Sequence, residues 1–438
     1  MLLFRQFVDD DLGCASYLVG DREAGAAVVV DPGFAIEQYL EAAAEEGVRI
    51  ERVLETHTHA DHLSGHGRFA LEHGVPVAIS PIAEPGYPYE PLTDGDVVEV
   101  GAVRIRVLHT PGHRPEHTAF VVDDELVLTG DSLFVGDAAR PDLAVAAREG
   151  AEDLFRSLER LAALGDAVRV YPGHVAGSLC GGNMSADRSS TIGRERETND
   201  ALSYRDVQEF VLVSASVSTP RPPTTERVVA LNQGPWVALP EEPRELAAVG
   251  AATVLDVRPF VDYAAGHVPG AISVPLTASA FSTKAGFVLA PDEPVVLHAR
   301  GREEALAATR SLWRIGVFDV VGYVLAPEAA ETLGTIDVWE LKELVGDPAV
   351  QVVDVREASE RDSGYIPGSR NIPYRLLRKL GCGALDVSKP VVTVCDTGPR
   401  AAIAASLLAR EGFDARAVSP GGVATFDGDV VSFRRCGG

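Results

Sequence analysis

A duplication in the second half of the chain limits its possible folds more than any other feature. Leu255-Asp-Val-Arg258 recurs as Val353-Asp-Val-Arg356, and Gly266-His-Val-Pro-Gly270 recurs as Gly364-Tyr-Ile-Pro-Gly368, both at an offset of 98 residues. Solenoid repeats are about 20–50 residues long, so two copies at this period indicate two similar domains. Each copy alternates apolar runs with loops and helical stretches, which predicts small α/β domains with parallel sheets.

The remaining sequence predicts a larger N-terminal domain and a linker. A length of 438 residues is compatible with two to four domains. Residues Ser189 to about Glu209 are polar and helical in pattern, whereas the dense prolines of Ser218–Glu226 predict a linker. We therefore expect domains at residues 1–235 (with the linker), 236–330 and 331–438.

Composition excludes several classes of protein. Apolar content of 46% and charged content of 24% are typical of a folded globular protein. The sequence has neither an apolar run of about 20 residues nor a secretory signal pattern, so we expect a cytoplasmic protein without a membrane partner. The net charge of −25 disfavours binding to nucleic acid. Five widely spaced cysteines indicate free thiols rather than a disulfide framework.

The strongest local signal is Thr56-His57-Thr58-His59-Ala60-Asp61-His62, which follows an apolar run. Three imidazoles and a carboxylate this close together are costly to bury without a metal that neutralises them. Further candidates each end an apolar run beside glycine or proline turns that aim side chains inward, namely His113, Asp131 and His174. His117 is interpreted as a structural hydrogen-bonding residue.

The motifs H-x-H-x-D-H, T-P-G-H, T-G-D and P-G-H together resemble those of the metallo-β-lactamase superfamily, which implies an αββα sandwich over roughly residues 1–215. This resemblance leaves two reactions open. Seven potential ligands could hold two zinc ions in a thioester hydrolase of the glyoxalase II type. In the persulfide dioxygenase branch the same motifs hold one Fe(II), and the resemblance then implies His57, His113 and Asp131 as ligands.

Two histidines and one carboxylate leave iron positions free for dioxygen and a persulfide, as oxygenase chemistry requires. The resemblance then makes His59, Asp61, His62 and His174 groups that orient ligands or bind substrate. Phe134–Leu143 also resembles a segment of bacterial persulfide dioxygenases, and the helical domain of glyoxalase II is missing. These two features favour the dioxygenase branch.

Three other residues near these motifs are candidates for weaker roles. Arg140 is interpreted mainly as an ion-pair partner of Asp142, with substrate contact as the alternative. Cys180 lies in a glycine-rich loop where the rhodanese-fused dioxygenases carry a cysteine, so a sulfur-relay role is considered beside simple packing. Cys14 is interpreted as a core residue of the first strand.

In the last domain, the apolar run Val391–Val394 leads into Cys395-Asp-Thr-Gly-Pro-Arg400, and an Ala/Leu-rich helix follows. A thiol at a strand-to-helix turn faces backbone N–H groups and the positive helix end, which favour thiolate. Arg400 adds a positive charge that can grip an oxyanion. The C-x-x-G-x-R loop resembles that of rhodaneses. In the middle domain Ala299 and Glu304 stand at the aligned positions, so that copy is predicted to be inactive.

The order of the three domains resembles that of bacterial persulfide dioxygenase–sulfurtransferase fusions. The resemblance implies oxidation of a low-molecular-weight thiol persulfide by O2 to sulfite, followed by sulfur transfer through Cys395 to give thiosulfate. It also implies a homo-oligomer. The main alternative is a dinuclear zinc thioesterase fused to a sulfurtransferase. A sulfur carrier that uses only Cys395 is a third possibility, disfavoured by the complete ligand set.

Overall fold

The structure is a computed structural model that describes residues 1–141, 144–175, 184–185, 187–215, 220–326, 330–380 and 383–432. The chain forms two compact units. The first comprises Met1–Pro240 with Trp313–Gly316, and the second comprises Glu241–Leu312 with Val317–Gly438. Among the described residues, no helix combines the length and apolar character needed to cross a membrane.

The first sheet of the first unit places its strands in chain order. The first three strands pair antiparallel and the later ones pair parallel. Every residue of Ala26–Val30 is buried, as expected for a strand covered on both faces. The strands are β1 (Leu2–Asp9), β2 (Cys14–Asp21), β3 (Ala26–Val30), β4 (Arg49–Leu54), β5 (Val77–Ile79) and β6 (Glu90–Pro91).

The second sheet of this unit has the order β14-β13-β10-β9-β8-β7, and β11 pairs with β12 as a small hairpin. Its strands are β7 (Val97–Val100), β8 (Val103–His109), β9 (Thr118–Val122), β10 (Leu126–Gly130), β11 (Leu133–Phe134), β12 (Asp137–Ala138), β13 (Arg169–Pro172) and β14 (Ser190–Thr191).

Helices cover the outer faces of both sheets, which gives the predicted αββα layers. One apolar cluster fills the space between the sheets, a second joins the first sheet to α1 and α2, and a third joins the second sheet to α3 and α5. In α3 the apolar residues recur at helical spacing, and those that are buried include Leu154, Leu158 and Leu161. The helices are α1 (Glu37–Glu46), α2 (His66–His73), α3 (Ala147–Ala162), α4 (Ile192–Thr198), α5 (Val207–Ser214) and α6 (Thr225–Gln233).

The predicted linker is partly wrong. Helix α6 begins at Thr225, inside the segment Ser218–Glu226, and buries Val228 and Asn232. The prolines precede the helix, where a missing N–H does not disturb helical hydrogen bonds. The part of the chain after the prolines therefore belongs to the first unit, which extends to Pro240.

The second unit contains two parallel sheets, as the duplication predicts. The earlier sheet has the order β16-β15-β17-β18, and the later one has the order β19-β23-β22-β20-β21. Their strands are β15 (Thr253–Asp256), β16 (Ile272–Ser273), β17 (Val295–His298), β18 (Val320–Val324), β19 (Gly334–Ile336), β20 (Gln351–Asp354), β21 (Arg370–Asn371), β22 (Val391–Val394) and β23 (Ala415–Val418). The helices are α7 (Phe260–Ala265), α8 (Phe281–Val288), α9 (Arg302–Trp313), α10 (Val338–Leu344), α11 (Ala358–Ser363), α12 (Tyr374–Leu380) and α13 (Pro399–Arg410).

Candidate metal centre and sulfur-transfer loop

The predicted ligands His57, His113 and Asp131 meet at one place in the first unit. Each follows a strand end, after β4, β8 and β10 respectively. One potential ligand atom from each lies within 4.8 Å of the other two, and all three residues are buried. His113 Nε2 is 3.4 Å from Asp131 Oδ2. Loops at strand ends thus bring together two imidazoles and one carboxylate.

Hydrogen bonds fix the orientations of the His57 and His113 rings. Thr56 Oγ1 donates to Asp31 Oδ2 at 2.8 Å, so it accepts from His57 Nδ1 at 2.9 Å. His113 Nδ1 donates to the Arg140 carbonyl oxygen at 3.1 Å. Each ring therefore keeps a lone pair on Nε2, and the outer hydrogen bond sets its orientation as in known metal sites.

These side chains fit a bound metal ion. Asp131 Oδ2 is buried and, among the described residues, has no hydrogen-bond partner. Burial together with neighbouring His59 lowers the pKa of His57, and burial lowers the pKa of His113. Both imidazoles are therefore neutral at pH 7, the form that binds a metal. A cation bound by these three residues would give Asp131 Oδ2 a partner and would bind the lone pairs of His57 Nε2 and His113 Nε2.

The hydroxyl of Thr56 is expected to support metal binding. Thr56→Val keeps the side-chain volume but leaves His57 Nδ1 and Asp31 Oδ2 without this partner. Loss of a group that orients a ligand lowers metal affinity roughly 10–100-fold, which chelator competition measures. Thr93→Val is the matched control, because it removes an exposed hydroxyl bonded to Asp96. Equal metal affinity in both variants would contradict this role.

His174 connects the predicted ligand Asp131 to the Asp61 carboxylate. Its Nδ1 lies 2.7 Å from Asp131 Oδ1, and its Nε2 lies 2.6 Å from Asp61 Oδ2. His62 Nδ1 is 3.2 Å from Asp61 Oδ1. The structure thus places His174, Asp61 and His62 in one group beside the predicted ligands, where they can orient Asp131.

His59 lies between this group and a buried acidic pair. Its Nε2 is 3.1 Å from Glu55 Oε2 and 3.3 Å from Asp31 Oδ1. Its Nδ1 is buried and, within the part of the chain that the structure describes, has no hydrogen-bond partner. Two carboxylates therefore fix the His59 ring, and its free nitrogen lies on the other side of the ring.

Cys14 does not occupy the apolar core position that the sequence suggested. It begins β2, is half-buried, and places Sγ 3.4 Å from Asp61 Oδ2, 3.5 Å from His62 Nδ1 and 3.4 Å from His174 Nε2. A pocket of the first unit is lined by Cys14 and His62. Sequence interpretation missed this thiol because its partners lie at least 47 positions away.

His117 has the structural role predicted for it. Its Nδ1 lies 2.9 Å from Thr110 Oγ1, and its Nε2 accepts from the Asp131 backbone N–H at 2.9 Å. Burial lowers the pKa of His117 to about 3, so the ring is neutral and can accept this hydrogen bond. His117 therefore positions the backbone of Asp131.

Asn232 on α6 also supports the histidine-rich loop, and no sequence signal identified it. Its Nδ2 donates to the carbonyl oxygens of His59 and His62 at 2.9 and 2.8 Å, and its Oδ1 accepts from the Ser64 N–H at 2.9 Å. The side chain is buried. One amide thus satisfies three backbone groups of the loop that carries His57.

Replacing this amide is expected to destabilise the first unit. Asn232→Leu leaves three buried backbone groups without their partner, so we expect the free energy of unfolding to fall by about 3 kcal/mol. Denaturant titration measures the change. Gln233→Leu removes a single half-buried hydrogen bond to Ala83 and should cost about 1 kcal/mol or less. Equal losses in the two variants would argue against a supporting role for Asn232.

Some predicted site residues can be placed only in part. Arg140 is buried, and its backbone carbonyl holds His113. Its suggested partner Asp142 lies outside the described residues, as does Cys180.

In the second unit, Cys395 lies between the end of β22 and the start of α13. It is buried, and its Sγ accepts a hydrogen bond from the Gly398 N–H at 3.1 Å. Gly398 has φ of 111°, a conformation that favours glycine and turns this N–H inward. The thiol thus faces a backbone donor and the N-terminus of α13.

Arg400 forms an ion pair that the sequence did not reveal. Its Nη1 and Nη2 donate to Glu360 Oε2 and Oε1 at 2.6 and 2.7 Å. Arg400 was predicted as an anion clamp, but its guanidinium is already engaged by a carboxylate from α11. The aligned loop of the middle copy carries Ala299, and there Glu304 accepts from the Arg300 backbone N–H and guanidinium. This loop has no nucleophilic side chain at the position of Cys395. The Glu304 carboxylate accepts a hydrogen bond from one of the backbone N–H groups of the loop.

Sequence comparison assigns both parts of the chain. Residues 9–174 match the Metallo-beta-lactamase superfamily, and residues 239–325 and 337–429 each match the Rhodanese-like domain. A crystal structure of a metallo-beta-lactamase from Staphylococcus aureus is similar to 74% of this chain and 98% of its own, with a TM-score of 0.68 and 31% identity. The fold class predicted from the sequence is confirmed.

Two curated relatives resemble the first unit. A hydroxyacylglutathione hydrolase from Alkalilimnicola ehrlichii is 40% identical over 165 residues, covering 36% of this chain and 60% of the relative. The mitochondrial persulfide dioxygenase ETHE1 of Bos taurus is 30% identical over 236 residues, covering 53% of this chain and 87% of the relative. The chain therefore belongs to the persulfide dioxygenase family, in a form that carries two rhodanese-like domains behind the metallo-β-lactamase fold.

Proposed function

We propose that the first unit oxidises thiol persulfides with O2 at a single Fe(II) held by His57, His113 and Asp131. The observation that carries this proposal is the set of two neutral imidazoles and one carboxylate, whose buried Oδ2 has no hydrogen-bond partner within the described parts of the chain. Two histidines and one carboxylate are the ligands of non-haem iron oxygenases. Iron would supply the one-electron chemistry that spin-paired sulfur needs to react with dioxygen, which zinc lacks.

The chain's own residues orient and shield this centre. His174 holds Oδ1 of Asp131, and Thr56 and the Arg140 carbonyl fix the two imidazole rings. All three proposed ligands are buried, which keeps bulk water from the reacting sulfur. In the balanced reaction, a hydropersulfide, O2 and water give a thiol, sulfite and two protons.

We further propose that Cys395 then transfers sulfur to sulfite. The Cys395 thiolate attacks the outer sulfur of a second hydropersulfide and releases the carrier thiol. Sulfite next takes that sulfur from Cys395, giving thiosulfate and restoring the thiolate.

The alternative is a thioester hydrolase that uses two zinc ions. The hydroxyacylglutathione hydrolase relative supports it, as does the closeness of Asp61, His62 and His174 to the first ligands. That relative is covered over 60% of its length, however, whereas the persulfide dioxygenase is covered over 87%. The broader match and the attached sulfurtransferase loop favour sulfur oxidation.

Product analysis tests the proposed function. The iron-loaded full chain is supplied with glutathione hydropersulfide in oxygen-saturated buffer, and sulfite and thiosulfate are quantified over time. We expect oxygen-dependent sulfite formation, with thiosulfate appearing as persulfide is added in excess. Cleavage of a glutathione thioester without oxygen-dependent sulfite would support the hydrolase instead.

A further inference from the structure

We propose that Cys14 accepts the outer sulfur of a hydropersulfide and holds it beside the metal centre until it is oxidised. This inference rests on the proposed oxidation of persulfides by the first unit. It adds a covalent sulfur site to that unit and names its substrate class. That class is the hydropersulfides of small thiols in general, because the carrier thiol leaves before oxygen reacts.

Backbone contacts hold Cys14 against the segment that carries His174. Cys14 begins β2, and an isolated antiparallel bridge pairs it with His174. The N–H of the next residue, Ala15, donates to the Gly173 carbonyl oxygen at 2.7 Å. The backbone therefore fixes the thiol close to this imidazole.

The Cys14 sulfur lies among polar side chains. Sγ is 3.4 Å from His174 Nε2, 3.5 Å from His62 Nδ1 and 3.4 Å from Asp61 Oδ2. A thiol with imidazole nitrogens at hydrogen-bond distance is the arrangement found in cysteine nucleophiles. A cysteine that served only as packing would have apolar neighbours instead, so these contacts favour a reactive role.

The pocket beside Cys14 contains a second sign of a bound group. His62 lines the same pocket, is only 4% exposed, and has an Nε2 without a hydrogen-bond partner among the residues that the structure describes. Buried polar atoms are rarely left without a partner, so this nitrogen indicates a ligand. Asp9 and Arg314 also line the pocket, and their side chains are 27% and 29% exposed. A small thiol can therefore reach it from solvent.

A sulfur bound to Cys14 would lie close to the predicted ligand set. His174 contacts Cys14 through Nε2, and its Nδ1 is 2.7 Å from Asp131 Oδ1. One imidazole ring thus separates the thiol from a predicted ligand. An S–S bond extends the side chain by about 2 Å. The sulfur to be oxidised then approaches the centre while the carrier thiol stays outside.

The transfer step needs no other reactant. The Cys14 sulfur attacks the outer sulfur of R–S–SH, a new S–S bond forms, and the S–S bond of the donor breaks. The carrier leaves as R–S⁻ and takes up the proton that the Cys14 thiol loses. Cys14–SH and R–S–SH thus give Cys14–S–SH and R–SH. Oxygen and water then convert Cys14–S–SH into Cys14–SH, sulfite and two protons.

Peptide mass spectrometry tests the transfer step without a bound metal. The metal-free full-length chain is incubated anaerobically with glutathione hydropersulfide, separated from excess donor and alkylated with iodoacetamide. We expect one added sulfur atom on the peptide that contains Cys14. An unmodified Cys14 peptide would overturn the inference, whatever the other cysteines carry.

A single turnover tests whether this sulfur is the one oxidised. The persulfidated chain is loaded anaerobically with Fe(II), and O2 is admitted without further donor. We expect the added sulfur to leave the Cys14 peptide and to appear as sulfite or thiosulfate. The rate should be the same whether glutathione or cysteine hydropersulfide supplied the sulfur. A sulfur that stays on Cys14, or a rate that depends on the carrier, would contradict the inference.

Cys14→Ser keeps a hydrogen-bonding group but cannot carry a sulfur atom. We expect kcat/KM for hydropersulfide-dependent oxygen uptake to fall about 100-fold, because the reacting sulfur is no longer held in place. Bound iron per chain should not change, and Cys436→Ser is the matched control. A normal kcat/KM in Cys14→Ser, or a loss of iron that accounts for the fall, would exclude this role. If the unaltered iron-loaded chain takes up no oxygen, the proposed function itself fails.

Discussion

His113→Ala is expected to abolish oxygen uptake with hydropersulfide. The change removes one of two imidazoles from a buried set in which Asp131 Oδ2 has no hydrogen-bond partner among the described residues. Loss of a group that merely orients a ligand costs roughly 10–100-fold in metal affinity or activity, so loss of the ligand should cost more than about 100-fold. Metal analysis and an oxygen electrode measure the two consequences on the same preparation.

The control for this variant is His73→Ala, which removes an exposed imidazole at the end of α2. It should retain bound iron and full oxygen uptake. Sulfur transfer by Cys395 should survive in both variants, which shows that the second unit remains folded. Iron content and oxygen uptake that persist in His113→Ala would exclude His113 as a ligand.

Cys395→Ser is expected to stop thiosulfate formation while oxygen uptake continues. Serine keeps the shape of the loop but cannot carry a sulfur atom as a persulfide, so transfer should fall by about 1,000-fold or more. Sulfite then accumulates in place of thiosulfate. Chromatographic quantification of both anions, alongside the oxygen electrode, measures this change of product.

Cys436→Ser provides the same substitution at a cysteine that lies outside the described residues and for which no role is proposed. Its product ratio should equal that of the unaltered chain. Thiosulfate formation at the normal rate in Cys395→Ser would mean that another thiol carries the sulfur. The proposed sulfur transfer would then take place at a site other than Cys395.

The sequence predicts those parts of the fold and of the site that depend on short motifs of neighbouring residues. The histidine motif, the two turns bearing His113 and Asp131, and the cysteine loop each lie within a few consecutive residues. Strand-end turns then carry their side chains to one place without further information. The 98-residue duplication likewise predicted two parallel sheets, because both copies keep the same succession of strands and helices.

The features that sequence could not predict depend on contacts between distant positions. Asn232 reaches loop carbonyls about 170 positions earlier, and Cys14 meets His174 across 160 positions. Glu360 and Arg400 are separated by 40 positions and lie on different helices. No local sequence pattern around Asn232, Cys14 or Glu360 reveals these partners. The prediction of a linker at the proline-rich segment was partly wrong for a related reason. The segment leads into α6, which packs on the first unit.

The metal that supports oxygen consumption decides whether the first unit oxidises persulfides or hydrolyses thioesters. The metal-free chain is loaded anaerobically with one equivalent of Fe(II) or with Zn(II), and oxygen consumption is recorded after adding hydropersulfide. We expect the iron-loaded chain to consume one O2 for each sulfite formed, and the zinc-loaded chain to consume none. Oxygen consumption that is absent with iron, together with thioester cleavage by the zinc-loaded chain, would contradict this expectation.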